Sequence, residues 1–120
     1  MADLNDVEGV RVGLARACRI PQARINWPTL DIQRHNWHPA SVTNATTLAR
    51  YTDDRAWQFI ADCLERGCRI ECNPPSDEFN DHAYVMKESD GGLRRIYMKI
   101  AIGPLAPKKL QGLSFHYERY

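Results

Sequence analysis

Residues 94–102 alternate. Ile96, Met98, Ile100 and Ile102 fall on one side, and Arg95, Tyr97, Lys99 and Ala101 on the other. A period of two predicts a half-buried strand over Arg94 to Ile102. His82-Ala-Tyr-Val-Met-Lys-Glu before it is also strand-like, and Asp90-Gly91-Gly92 reads as a tight hairpin connection between the two. A third strand is expected over about 110–118, after a longer basic turn at 103–109. There Ser114 and His116 share one face, and Leu113, Phe115 and Tyr117 the other.

Upstream the period changes to that of a helix. Trp57, Ile60, Ala61 and Leu64 make a buried stripe over 53–66. Thr52 or Asp53 suits the N-cap, Asp54 faces the positive helix end, and Gly67 supplies the C-cap. Val7, Val10, Leu14 and Ala17 give a second helix over 5–18, weakened by Gly9 and Gly13 and ended before Pro21. Residues 21–45 carry no assignable period, and Trp27-Pro28 and Trp37-His38-Pro39 read as extended or turn-like. Residues 68–72 read as a short strand and 73–81 as a loop. The sum is an α+β fold, with N-terminal helices packed on a C-terminal antiparallel β-sheet meander. At 120 residues the expectation is a single domain, 1–120.

Charge changes the picture modestly. Residues 1–81 hold nine basic and 12 acidic side chains, whereas residues 82–120 hold seven basic and three acidic ones. A basic sheet beside an acidic helical part can attract a polyanion locally. No apolar run is long enough to span a membrane, and the opening Met-Ala-Asp-Leu-Asn-Asp-Val-Glu lacks signal-peptide features. A cytoplasmic protein with no membrane association is the expectation. Of the four cysteines, Cys68-x3-Cys72 followed by His82 invites a zinc reading. The usual second pair is missing at close spacing, although His35 and His38 could supply it through space. No metal or cofactor is expected, and Cys63 reads as a small core residue.

The chemistry-bearing side chains gather on the strands. Tyr97 and Lys99 share a polar strand face, where Lys can hold a phosphate and Tyr can donate a hydrogen bond or stack on a base. The plain account is a solvated sheet face. His116 is the best general acid or base by side-chain type. Ser114 lacks a nucleophile-elbow context, which argues against a serine hydrolase. Gln58 flanks the core beside Trp57 and could reach a sheet-face groove. Arg50, Arg55, Arg94, Arg95, Lys87 and Ser114 are candidate phosphate or RNA contacts. The absence of a glycine-rich phosphate loop or a His-Glu-x-x-His motif argues against kinases, NTPases and dinucleotide enzymes.

Three segments taken in order carry a family resemblance: Tyr51-Thr-Asp-Asp-Arg-Ala-Trp57-Gln58, Ile96-Tyr97-Met-Lys99-Ile, and Leu113-Ser114-Phe115-His116. The stretch of roughly residues 44–118 resembles the MqsR toxins, which have a Tyr-Ser-Asp-x-x-x-Trp-Gln segment, a Val-Tyr-Leu-Lys-Ile strand and a terminal Val-Ser-Phe-Lys strand. The resemblance implies a RelE-like fold, metal-independent cleavage of messenger RNA, and a cognate antitoxin partner. It carries the family's active-site residues to Gln58, Tyr97 and His116, the last standing where the family usually has Lys. A further family Lys falls near Thr46, with Arg50 nearby as a substitute, and the segment 68–92 is longer than in the family. The expected activity is that of an endoribonuclease toxin acting on single-stranded messenger RNA. His116 and Tyr97 would transfer protons, and Lys99, Arg95 and Arg50 would hold phosphate. The main rival is a non-catalytic RNA-binding module, and a second is an immunity-type protein whose polar sheet face binds another protein.

Overall fold

The structure is a computed structural model that describes residues 7–26, 37–73, 83–102 and 110–118. Expectations for His35, His82, the loop from Pro74, the turn 103–109 and Trp27-Pro28 lie outside those residues. Two helices, α1 (Val7–Cys18) and α2 (Asp53–Arg66), form one layer. Five strands form the other: β1 (Arg24–Asn26), β2 (Glu71–Asn73), β3 (Ala83–Glu88), β4 (Ile96–Ile102) and β5 (Leu110–Tyr117).

The sheet order is β1-β5-β4-β3-β2. β2, β3, β4 and β5 pair antiparallel in succession, while β1 lies parallel to β5, with Ile25 beside Gln111. The sheet is therefore mixed, and the expected pure meander is its central part. β1 has only three residues, too few for alternation to register in the sequence. The Asp90-Gly91-Gly92 connection is also longer than expected. Glu88 pairs with Ile96, so residues 89–95 form the loop and Gly91 adopts a positive φ of 106° within it. Arg94 and Arg95, expected at the start of the strand, belong to that loop.

Helix α2 follows its capping residues. The Thr52 side chain accepts from the Arg55 N–H, and Gly67 closes the helix at φ 86°. That φ carries no Cβ penalty only for glycine. The stripe of Trp57, Ile60, Ala61 and Leu64 is buried against the sheet. Arg11 of α1 is buried too and donates to the Leu64 carbonyl at 3.1 Å, placing a cation at the negative end of α2. On the sheet, Ile96, Met98, Ile100, Leu110 and Phe115 meet the helices. Trp37 lies over β5 and packs edge-on to Phe115, its indole N–H donating to Asp53 at 3.1 Å. Gly112 makes that seat possible, because a Cβ there would stand 2.5 Å from the indole ring.

The expected alternation on β4 matches its burial from Ile96 to Ile100, whereas Ala101 of the polar side is buried too. On β5 the alternation is interrupted by a bulge, since Lys99 pairs with Ser114 but Ile100 with Gly112. The extra residue is Leu113, fully buried yet outside the cluster that holds Phe115. No described helix is long and apolar enough to cross a membrane.

Candidate nucleic-acid interface

The sheet face turned away from the helices can be read in rows from the register. Lys87, Tyr97 and His116 form one row across β3, β4 and β5. Glu71, Val85, Lys99 and Ser114 form the next row on one side. On the other side Arg95 stands beside Glu118, whose N–H donates to the Arg95 carbonyl at 2.8 Å. The sheet thus brings together Tyr97, Lys99, Lys87, Arg95, Ser114 and His116, six of the sequence candidates. Tyr84 lies on the opposite face and packs against the core, so among the described polar residues of the first strand Lys87 is the one that joins the site.

Tyr97 and His116 stack, with ring centroids 5.2 Å apart and planes 14° from parallel. Their strands run antiparallel and the two residues are directly opposed, which places flat side chains in contact. His116 Nδ1 lies 2.7 Å from the Tyr117 carbonyl oxygen. A carbonyl only accepts, so Nδ1 is the donor and the lone pair of the neutral ring is on Nε2. Tyr97 is half-buried. Burial, and next the charge of Glu71, push its phenol above the ordinary value, so it remains protonated and a donor.

The other candidates distribute differently. Ser114 is on the same face but only 3% exposed, too covered to meet a polymer from solvent. Its position opposite Lys99 makes it a neighbour of the phosphate-holding residue instead. Gln58 is exposed on α2 and accepts from Arg19 at 3.4 Å, within a network in which Arg19 also holds Asp62 and Glu65. The sheet separates that helix layer from Tyr97 and His116, so Gln58 does not join them. Arg55 is exposed in the first turn of α2, on the same helix layer. Arg50 and Thr46 are exposed in the segment before α2, where Arg50 bridges Thr43 through its backbone, and neither is a position of the sheet face.

The contacts of two residues were not foreseen from the sequence. Glu118 is the stronger omission, because it follows Ser114 and His116 at the same period of two. It takes two hydrogen bonds from Arg95, at 2.7 and 2.8 Å, and lies 3.8 Å from the Lys87 ammonium. Asp90 ties the loop 89–95 to the segment before α2, accepting from the Tyr51 hydroxyl at 2.8 Å and the Ala45 N–H at 3.1 Å. No short motif announces a contact between residues 39 positions apart.

Among the described residues no group of three or more His, Cys, Asp or Glu is arranged to hold a metal ion. Cys18, Cys63 and Cys68 are buried free thiols, and burial pushes Cys18 and Cys63 up to about 12. A cleft of about 470 Å³ between α1 and α2 is lined by Val12, Ile20 and Arg16 among others, on the helix layer. Comparison with known protein families, with curated proteins and with solved structures finds no match to this chain.

Proposed function

We propose that this protein is a metal-independent endoribonuclease that cuts single-stranded RNA by attack of a ribose 2′-OH on the adjacent phosphorus. The observation that carries the reading is the stacked Tyr97–His116 pair, flanked in register by Lys87 and Lys99. A stacked aromatic pair on an open sheet offers a platform for a base, and the two ammonium groups suit the phosphates on either side of it.

The proton roles follow from the side chains. His116 Nε2 takes the 2′-OH proton as the new O–P bond forms. Tyr97, held protonated by burial, gives its proton to the 5′-oxygen as the old P–O bond breaks. Lys99 balances charge on the phosphoryl oxygens. The products are a 2′,3′-cyclic phosphate and a 5′-OH, and solvent exchange returns both side chains to their starting states. Messenger RNA as the substrate, and an antitoxin as the partner that neutralises the protein, rest on the resemblance of the three segments to the MqsR toxins.

A non-catalytic RNA-binding module is the second reading, and one observation favours it. Arg95, a candidate for stabilising charge in the transition state, is already paired with Glu118. Incubating purified protein with a long single-stranded RNA in EDTA separates the two. Fragments ending in cyclic phosphate, lost in His116→Ala, are the expected result. Intact RNA that is nonetheless bound overturns the nuclease and leaves the binding module.

A further inference from the structure

We infer that Arg95 and Lys87 form a phosphodiester subsite beside the Tyr97–His116 pair, and that Glu118 occupies it in the free protein. This rests on the reading of the sheet face as an RNA surface, and adds how an RNA strand would engage it.

The geometry is that of an oxyanion held in a fork. Arg95 Nε donates to Glu118 Oε2 at 2.7 Å and Arg95 Nη2 to Oε1 at 2.8 Å. A guanidinium presents the same two parallel N–H groups to two oxygens of a phosphate. The Lys87 ammonium approaches Oε1 at 3.8 Å, so both cations converge on one carboxylate. Although it lies close to the chain end, the Glu118 side chain is only 14% exposed, against 57% for Arg95. Its backbone is held in place by the N–H to the Arg95 carbonyl.

Position gives the subsite its meaning. Lys87 shares the row of Tyr97 and His116, Arg95 is two residues from Tyr97 on β4, and Glu118 two residues from His116. A strand whose base stacks at Tyr97 and His116 carries a neighbouring phosphate along the sheet toward the row of Arg95 and Glu118, two residues or about 6.7 Å away. Glu118 must leave the fork for that phosphate to enter it. The carboxylate therefore acts as a built-in competitor: it keeps Arg95 and Lys87 in place while free, and lowers affinity for short or weakly charged strands.

The test compares wild type with Glu118→Gln, which keeps the shape and removes the charge. The probe is a short fluorescein-labelled single strand with 2′-O-methyl riboses, which cannot be cut by 2′-OH attack. The Glu118→Gln variant is expected to bind it about tenfold more tightly at low salt. Its log–log salt slope should steepen by about 0.7 for each phosphate gained. Adding Arg95→Gln to Glu118→Gln should abolish the gain, with circular dichroism melts confirming that all variants fold. Equal affinity and slope in wild type and Glu118→Gln would overturn the subsite and leave a structural ion pair. A gain for inorganic phosphate with none for the strand would overturn the claim that the subsite serves a polynucleotide. The nuclease reading stands or falls separately. Tighter binding by Glu118→Gln without cleavage of ordinary RNA by wild type supports the subsite and removes the nuclease, and cleavage without tighter binding does the reverse.

Discussion

The two faces of one sheet carry different kinds of side chain. On the helix side, Ile96, Met98, Ile100 and Phe115 are fully buried against Trp57, Ile60 and Leu64. On the far side, the same strands at alternate positions present Lys87, Tyr97, Lys99 and His116, all half-buried and polar. Since successive strand residues point to opposite faces, one alternating stretch specifies both a core and a candidate site. The far face is not uniform, however. Val85, Ala101 and Gln111 lie on it and are buried as deeply as the core. On β3, β4 and β5 the polar side chains that reach solvent are therefore in the rows nearest the 89–95 loop, and Ala101 and Gln111 beyond them are as closed as the helix side.

The sharpest way to break this division is to truncate one residue on each face. His116→Ala should lower RNA cleavage about 10²–10⁴-fold if its imidazole is the proton carrier. Its melting free energy should fall by only about 0.5–1.5 kcal/mol, the worth of the lost stack on Tyr97. A loss of cleavage below about threefold would reject the proton role. Trp57→Ala should do the reverse, destabilising the fold by about 3–5 kcal/mol in urea melts through the cavity it leaves. If Trp57→Ala were tolerated within about 1 kcal/mol, the helix layer would not be the core that the burial implies.

Much of this division was legible in the sequence, and the part that was not has a physical cause. Thr52, Gly67 and the Trp57–Leu64 stripe fix α2 locally, and its expected and observed bounds coincide. The faces of Arg95, Tyr97 and Lys99 against Ile96, Met98 and Ile100 follow from period alone. The parallel pairing of β1 with β5 does not, because a three-residue strand has no period to read. The bulge at Leu113 was also hidden, since the extra residue is apolar and fits the alternation it interrupts. For the candidate site, the cluster of Tyr97, Lys99 and His116 was readable as a set of strand faces. The placement of Gln58 was not: its neighbour Trp57 is buried as expected, but a helix turns 100° per residue, which sends Gln58 to Arg19 on the helix layer.

Alkali offers a test of how closed the helix side is. Cys18 and Cys63 are both raised from 9.0 to about 12 by burial. For a group whose folded pKa exceeds its unfolded value, the stabilisation is complete below the unfolded value and is lost as pH rises through the folded one. Stability should thus be insensitive to these thiols below pH 9.0 and fall between there and about 12. The slope should approach about 1.4 kcal/mol per pH unit for each thiol. Urea melts of wild type and a Cys18→Ala, Cys63→Ala variant at rising pH would show a shallower slope in the variant. Equal slopes would mean that water already reaches both thiols. A milder disturbance of the same side is Gly112→Ala, whose methyl must displace the Trp37 ring standing 2.5 Å from the Cβ position. Overpacking of that kind costs about 1–3 kcal/mol, and quenching or a shift of indole fluorescence would report the ring's movement.

The smallest expected effect probes the closed half of the far face. Gln111 is fully buried beside Ala101, and neither atom of its side-chain amide has a hydrogen-bond partner among the described residues. A buried amide without partners costs free energy that an apolar side chain of similar size does not. Gln111→Leu should therefore be neutral or raise stability by up to about 1 kcal/mol, and should leave RNA cleavage unchanged because the residue stands outside the rows of Tyr97 and Lys99. A destabilisation of 1 kcal/mol or more would show that the amide is satisfied in solution. Lost RNA binding with stability intact would extend the polar site across the whole sheet, and the contrast between its open and closed halves would no longer hold.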